Sequence, residues 1–245
     1  MWHRIEARTG VQFPAPPLVF IGHYAVGFAS KKFAPKASLG PLLAAPLALD
    51  ILWPLLVLAG VEKVRIVPGF SAFNPLDLYY FPWSHSLLMA CVWGGLFGGG
   101  YYAITKYRAG GVVIFFGVVS HWVLDWVSHT PDMAIVPGMA TKVGLGLWNS
   151  VAGTVVVESI LFIAAVWLYA RTTRARDAVG RWGWWALVVV LAVLYVASAI
   201  GPPPSSVPAM VTVGLALQAV TVAWAWWADR HREVVLPTQA APAGT

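Results

Sequence analysis

A single cysteine, Cys91, excludes an internal disulfide and a thiolate-rich metal cage, and its apolar surroundings assign it to packing. Charge is almost as scarce. Asp, Glu, Lys and Arg together make up 11% of 245 residues against 59% hydrophobic, and mean hydropathy is +0.71. That balance excludes a soluble domain and predicts an all-α, polytopic membrane bundle forming one domain over residues 1–233, with a disordered tail at 234–245. Residues 1–17 carry Arg4, Glu6 and Arg8 but no apolar core followed by a small-residue cleavage site, so no secretory signal is expected. No internal repeat and no nucleotide-binding glycine motif is visible, and the glycines of 94–100 read as close helix packing. The net charge of +6 calls for no nucleic-acid partner, because the basic residues sit in short loops between apolar stretches.

Six stretches reach the ~20 residues a spanning helix needs, at 38–60, 79–105, 110–129, 148–170, 183–201 and 207–228, with 17–30 as a marginal seventh. Six to seven transmembrane helices are therefore expected, with the site within 17–170 and scaffold spans over 183–228. Loops alternate in charge. Those with Lys31, Lys32 and Lys36, with Lys106 and Arg108, with Arg171 to Arg181, and with Arg230 and Arg232 are basic, while 61–78, 130–147 and 202–206 are near neutral. The positive-inside rule puts the basic set and the C-terminus in the cytoplasm and the others outside. Lys31 and Lys32 read as interface anchors, and the tryptophans near the span ends as an aromatic belt.

Within the apolar stretches stand seven ionisable groups, His23, Asp50, His85, His121, Asp125, His129 and Glu158, and no Lys or Arg. Bare carboxylates in hydrocarbon cost several kcal/mol each, so a cation must sit among them. The densest piece is His121-x3-Asp125-x3-His129, which on a helix offers three ligands on one face. Counted at ~1.5 Å per residue, all seven fall in the outer half of their spans, as a pocket opening outward would require. Ser150, Thr154 and Glu158 add a polar stripe at intervals of four. Pro46 and Pro54 bracket Asp50, and Pro54 has no amide hydrogen for the Asp50 carbonyl, which is tolerated where backbone lines a cavity. Three histidines with carboxylates favour zinc, with iron and manganese still open. Taken alone, His23 serves equally as an interhelical hydrogen-bond donor, and Glu158 as a proton carrier or a protonated helix-pairing residue. Asp77 and Asp132 are accounted for by turns, and His3 and His231 by solvent.

The stretches GHYAVGF at His23, ALD at Asp50, FPWSHSLL at His85, SHWVLDWVSHTPD from Ser120 and GLWNSVAGTVVVES with Glu158 resemble the YdjM-like bacterial inner-membrane proteins, described as membrane-bound metal-dependent hydrolases. More distantly, the order of these residues is similar to the ligand series of zinc-dependent phospholipase C and related single-strand nucleases. That resemblance implies His85, His121 and Asp125 on one zinc, His129 and Glu158 on a second, and His23 on a third. Asp50 would then be the catalytic carboxylate that bridges to, or takes a proton from, the attacking water. Thr154 stands where the phospholipase pattern has another histidine, and its third zinc uses a processed N-terminal tryptophan, so one or two ions are expected here. The function implied is a phosphoesterase-type hydrolase of the inner membrane, acting from the periplasmic side on a small-molecule or lipid substrate. Membrane lipids are expected partners, and a homo-oligomer stays open. The rival reading is a proton- or metal-coupled transporter, since intramembrane His and acids also build relays. A metal staple in a scaffold protein is the third reading.

Overall fold

The computed structural model describes residues 20–235. In chain order its helices are α1 (Ile21–Ser30), α2 (Leu39–Ala44), α3 (Ala48–Leu58), α4 (Pro82–His85), α5 (Leu87–Thr105), α6 (Arg108–Ser128), α7 (Val151–Thr172), α8 (Trp184–Ile200) and α9 (Val207–Arg230). Three short antiparallel strand pairs accompany the helices: two loop hairpins, β1 (Lys63–Ile66) with β2 (Leu76–Tyr80) and β3 (Met133–Ala134) with β4 (Lys142–Val143), and β5 (Thr173–Ala175) after α7 paired with β6 (Arg232–Val234) after α9. In the first, Arg65 lies opposite Asp77 and is ion-paired to it. The expected disordered tail and His3 lie outside the described residues, apart from Val234 and Val235.

The bundle is all-α, but five helices rather than six or seven are long and apolar enough to cross a membrane: α5, α6, α7, α8 with the π-helical turn that precedes it, and α9. The 38–60 stretch divides because Pro46 lacks an amide hydrogen, leaving a turn between the six residues of α2 and the eleven of α3. Pro54 sits inside α3 without ending it. The helical part of 17–30 is only ten residues long. The 79–105 stretch divides too. It runs from β2 through α4 to an extended Ser86, whose hydroxyl accepts from the Met89 amide and starts α5. His85 therefore belongs to a short turn ahead of a span, not to the span itself.

α1 is the buried centre. Gly27 lets it cross α2 closely, since a Cβ there would lie 2.4 Å from a Leu43 methyl, and Phe28 packs edge-on against Phe162 and Tyr169 of α7. α5 and α6 form a tight pair in which a Cβ on Gly98 would fall 2.5 Å from the Gly111 carbonyl.

Lys31, read as an interface anchor, is instead buried. Its ammonium meets Asp229 Oδ2 and donates to the Ala37 carbonyl, both at 2.8 Å. Asp229 also accepts from the Leu39 amide at 3.0 Å and the Tyr169 hydroxyl at 2.6 Å, so the ends of α1, α7 and α9 converge on one carboxylate. The reading of Lys31 failed because Asp229 follows the last apolar residue of its stretch and looks like a loop residue. His231, expected to be solvated, pairs its Nδ1 with Asp177 Oδ2 at 2.7 Å on the surface.

Candidate metal centre

α6 supplies the middle of the site. His121 and Asp125, four residues apart, share a face, and His121 Nε2 lies 3.0 Å from Asp125 Oδ2. α4 brings in His85, with Nε2 at 3.1 Å from His121 Nε2 and 3.6 Å from Asp125 Oδ2. α3 brings in Asp50, with Oδ1 at 3.6 Å from His85 Nε2 and 3.8 Å from His121 Nε2. α1 adds His23, with Nε2 at 3.2 Å from the other Asp125 oxygen. Five of the seven residues singled out in the sequence, His23, Asp50, His85, His121 and Asp125, therefore meet in one cluster.

The hydrogen-bond network sets the direction of two imidazoles. His121 Nδ1 is 2.7 Å from the Pro46 carbonyl, which can only accept, so Nδ1 carries the hydrogen and Nε2 a lone pair. His85 Nδ1 is 2.6 Å from the Ser84 hydroxyl, which donates to Glu62 Oε2 at 2.6 Å and so accepts from His85. The fully buried Glu62 takes two further hydrogen bonds, from the Trp83 and Ser84 amides, each at 2.8 Å. Two ring nitrogens with lone pairs consequently face each other at 3.1 Å, an arrangement that repels unless a cation or a proton lies between them. Two nitrogens held at 2.0–2.1 Å by one tetrahedral ion stand about 3.3 Å apart, close to what is seen here. The separations among His85, His121, Asp125 and Asp50 quoted above scatter around that value.

His23 fits the same picture. Both of its ring nitrogens are buried without a hydrogen-bond partner among the described residues, because the Asp125 oxygen lies off the hydrogen-bonding line. An orphaned imidazole beside a carboxylate is a donor pair that could hold a metal ion. The sets His23, His121, Asp125 and Asp50, His85, His121 could each hold a metal ion, with His121 common to both.

His129 and Glu158 stand differently. α6 ends at Ser128, and His129 has extended backbone (φ −67°, ψ 150°), so its ring leaves the face shared by His121 and Asp125. Its Nδ1 pairs with Asp132 Oδ1 at 2.9 Å, and its ring lies over Trp148 at 4.2 Å between centroids. It still lines one small cavity with Asp50, His85, Asp125, Trp53 and Phe20. Glu158 reaches the N-terminus of α1, where Oε2 accepts from the Gly22 amide at 3.4 Å, as favoured at the positive end of a helix.

Asp50 is the open carboxylate. Its side chain is 27% exposed, against 6% for Asp125 and none for His121. The carbonyl left free by Pro54 is taken up by α9, since Gln218 Nε2 donates to Asp50 O at 3.3 Å. The last span is therefore not pure scaffold.

Sequence reasoning missed Glu62, Ser84 and Gln218. Glu62 was one of two acids, with Asp77, in a loop near neutral overall, and Ser84 adjoined a singled-out histidine. Gln218 was the single amide side chain of two apolar spans. Each was visible as an exception, but only the fold says what it touches. No family model, no curated protein and no solved structure matches the chain.

Proposed function

We propose that this chain is a membrane-embedded, zinc-dependent hydrolase that cleaves a phosphoester, with a lipid as the favoured substrate, at a pocket reached from the outer, periplasmic side of a bacterial inner membrane. The supporting observation is the confrontation of His85 Nε2 and His121 Nε2 at 3.1 Å, each with its other nitrogen committed to an acceptor. Three imidazoles with two carboxylates suit zinc. When bound, such an ion supplies Lewis acidity toward a phosphoryl oxygen and acidifies water near neutrality.

The chain's own residues divide the remaining work. His85, His121 and Asp125 are the holding set, and His23 extends it on the second oxygen of Asp125. Asp50, open to the cavity, takes the proton from the attacking water. His129, oriented by Asp132, faces the same cavity and offers Nε2 to the leaving group. The basic loops at the opposite end support a cytoplasmic position for that end and for the C-terminus. A proton- or metal-coupled carrier would need ionisable groups leading on toward that end, where Lys31 and Asp229 are paired with each other.

Metal analysis of the purified protein in detergent is the direct test. One to two zinc ions per chain are expected in the wild type, with sharp loss in His121→Ala and Asp125→Ala. Hydrolysis of phosphoester lipids should cease on chelation and return with zinc. Folded wild-type protein that holds no metal after supplementation overturns the reading.

A further inference from the structure

α5 and α6 touch along Gly94 and Gly98, where an added Cβ would lie 3.0 Å from the Phe115 carbonyl and 2.5 Å from the Gly111 carbonyl. Beside that contact the two helices part into a furrow of about 580 Å³, floored by glycine and walled by Tyr102, Val112, Phe115 and Phe116. That volume falls in the range of ligand-binding clefts. Gly95 and Gly99 line it too, are exposed, and have nothing within 4 Å of an added Cβ, so the chain itself leaves the furrow uncovered. No residue of its lining is shared with the cavity at His85 and Asp125, which separates it from the metal centre. Its charged lining residue is Arg108, at the start of α6. The Arg108 side chain is exposed and has no ion pair among the described residues. Neither an acid in the first turn nor a side-chain cap offsets the positive end of α6 beside it.

We propose that this furrow seats an anionic phospholipid, with its phosphate at Arg108 and one acyl chain laid over the glycines toward Gly94. Gly94 stands eleven residues before the end of α5, so the chain would run about 16 Å into the apolar layer. Basic pockets between spanning helices are suited to anionic head groups, and the exposed Lys106, on the connection just before Arg108, adds to the charge. Charge also decides between a lipid and a second copy of this chain. A two-fold pair formed on the Gly95 and Gly99 face would carry two uncompensated Arg108 side chains toward one axis, where they repel. A lipid phosphate compensates the one that is there. A zwitterionic lipid brings its own ammonium to its phosphate and therefore gains less from Arg108. The proposal is independent of the hydrolase reading, since neither the metal nor its ligands enter it.

Native mass spectrometry of the full-length protein released from detergent tests it. The protein is titrated with phosphatidylglycerol, with phosphatidylcholine of the same chains, and with glycerol 3-phosphate, a head group without chains. Phosphatidylglycerol should be held about fivefold more tightly than phosphatidylcholine, the roughly 1 kcal/mol that one basic side chain contributes beside anionic lipid. Glycerol 3-phosphate should not be retained. Arg108→Gln should abolish the preference and Arg108→Lys should keep it. Gly99→Leu, or Gly95→Leu farther along the furrow, should lower retention of both lipids fivefold or more. Gly100→Leu should bind like the wild type, because its added Cβ also meets nothing within 4 Å but it does not line this furrow. Equal retention of the two lipids, a preference that survives Arg108→Gln, or retention unchanged by both leucine variants overturns the proposal. Retention of glycerol 3-phosphate as tight as that of phosphatidylglycerol overturns it in favour of a free phosphate. A lipid-free dimer that Gly99→Leu breaks overturns it in favour of a second copy.

Discussion

Glu62 reaches the cluster only through the Ser84 hydroxyl, and that makes it a positioning residue whose effect is separable from folding. With Glu62 holding the Ser84 proton, His85 must place its hydrogen on Nδ1 and leave the lone pair on Nε2, where a metal ion could bind. Partners of this kind behind a metal-bound histidine are typically worth 10–100-fold in metal affinity. Ser84→Ala should weaken zinc binding by that order, read by competition with a chromophoric chelator on protein shown to be folded, with some loss of melting temperature as well, because Glu62 Oε2 and His85 Nδ1 lose their shared partner. Equal affinity in the variant and the wild type would show that the relay does not orient His85. His121 and Asp125 were legible in the sequence because the four-residue rule holds inside a helix. It fails for His129, one residue past the helix end, where backbone direction and not spacing decides where the ring goes. Away from the site, Asp177 shows how a surface carboxylate titrates here. The Gly180 amide, then His231, hold it below its ordinary 3.8. A depressed acid contributes stability above its unfolded value and loses it as pH falls through the folded one. Asp177→Asn should therefore remove a small stabilising contribution that is present at neutral pH and fades as pH falls through the lowered value, as melting curves across pH would reveal.

At the level of elements, hydropathy found the long helices α6 to α9 to within a few residues, and α5 with its start placed well too early, because a spanning helix satisfies its own backbone and needs little from its neighbours. It overcounted where an apolar run is covered by protein and not by lipid. α1 and α2 are short pieces buried by the rest, α3 is half-buried with Leu55 and Leu58 exposed, and periodicity does not distinguish a run that spans from one that turns back at Pro46. The glycine run of α5 shows how finely close packing is placed. Gly98 faces the Gly111 carbonyl, whereas Gly99, the next residue, has open space around it. Gly98→Ala should push α5 from α6 and destabilise by about 1–3 kcal/mol. Gly99→Ala should be neutral or stabilise by up to about 1 kcal/mol, since alanine is the better helix former. Thermal or denaturant unfolding in detergent compares the two, and a Gly98→Ala protein as stable as Gly99→Ala would disprove the close contact.

Taken whole, the molecule is tied by α1, which carries His23 near one end and runs into Lys31 at the other, eight residues or about 12 Å away. The site end is fixed by Glu158 at the Gly22 amide, the middle by the Tyr24 hydroxyl 3.2 Å from Thr221, and the far end by Lys31 on Asp229. Removing one member of a buried ion pair typically costs about 3–5 kcal/mol, because the other is left without compensation. The two partners here are not equivalent. Without Lys31, Asp229 still accepts from Tyr169 and the Leu39 amide, so Lys31→Met should fall at or below the low end of that range. Asp229→Ala strips three donors at once and should fall at the high end, with a correspondingly larger drop in melting temperature. The proposed metal centre lies at the opposite end of α1, and its candidate ligands on α3, α4 and α6 do not touch the pair, so on the zinc reading Lys31→Met protein that remains folded should hold as much zinc as the wild type. A Lys31→Met protein that melts like the wild type would remove the pair as a tie. One that stays folded but loses zinc would show that the seat of α1, and not only the local network around His85 and His121, sets the geometry of the cluster.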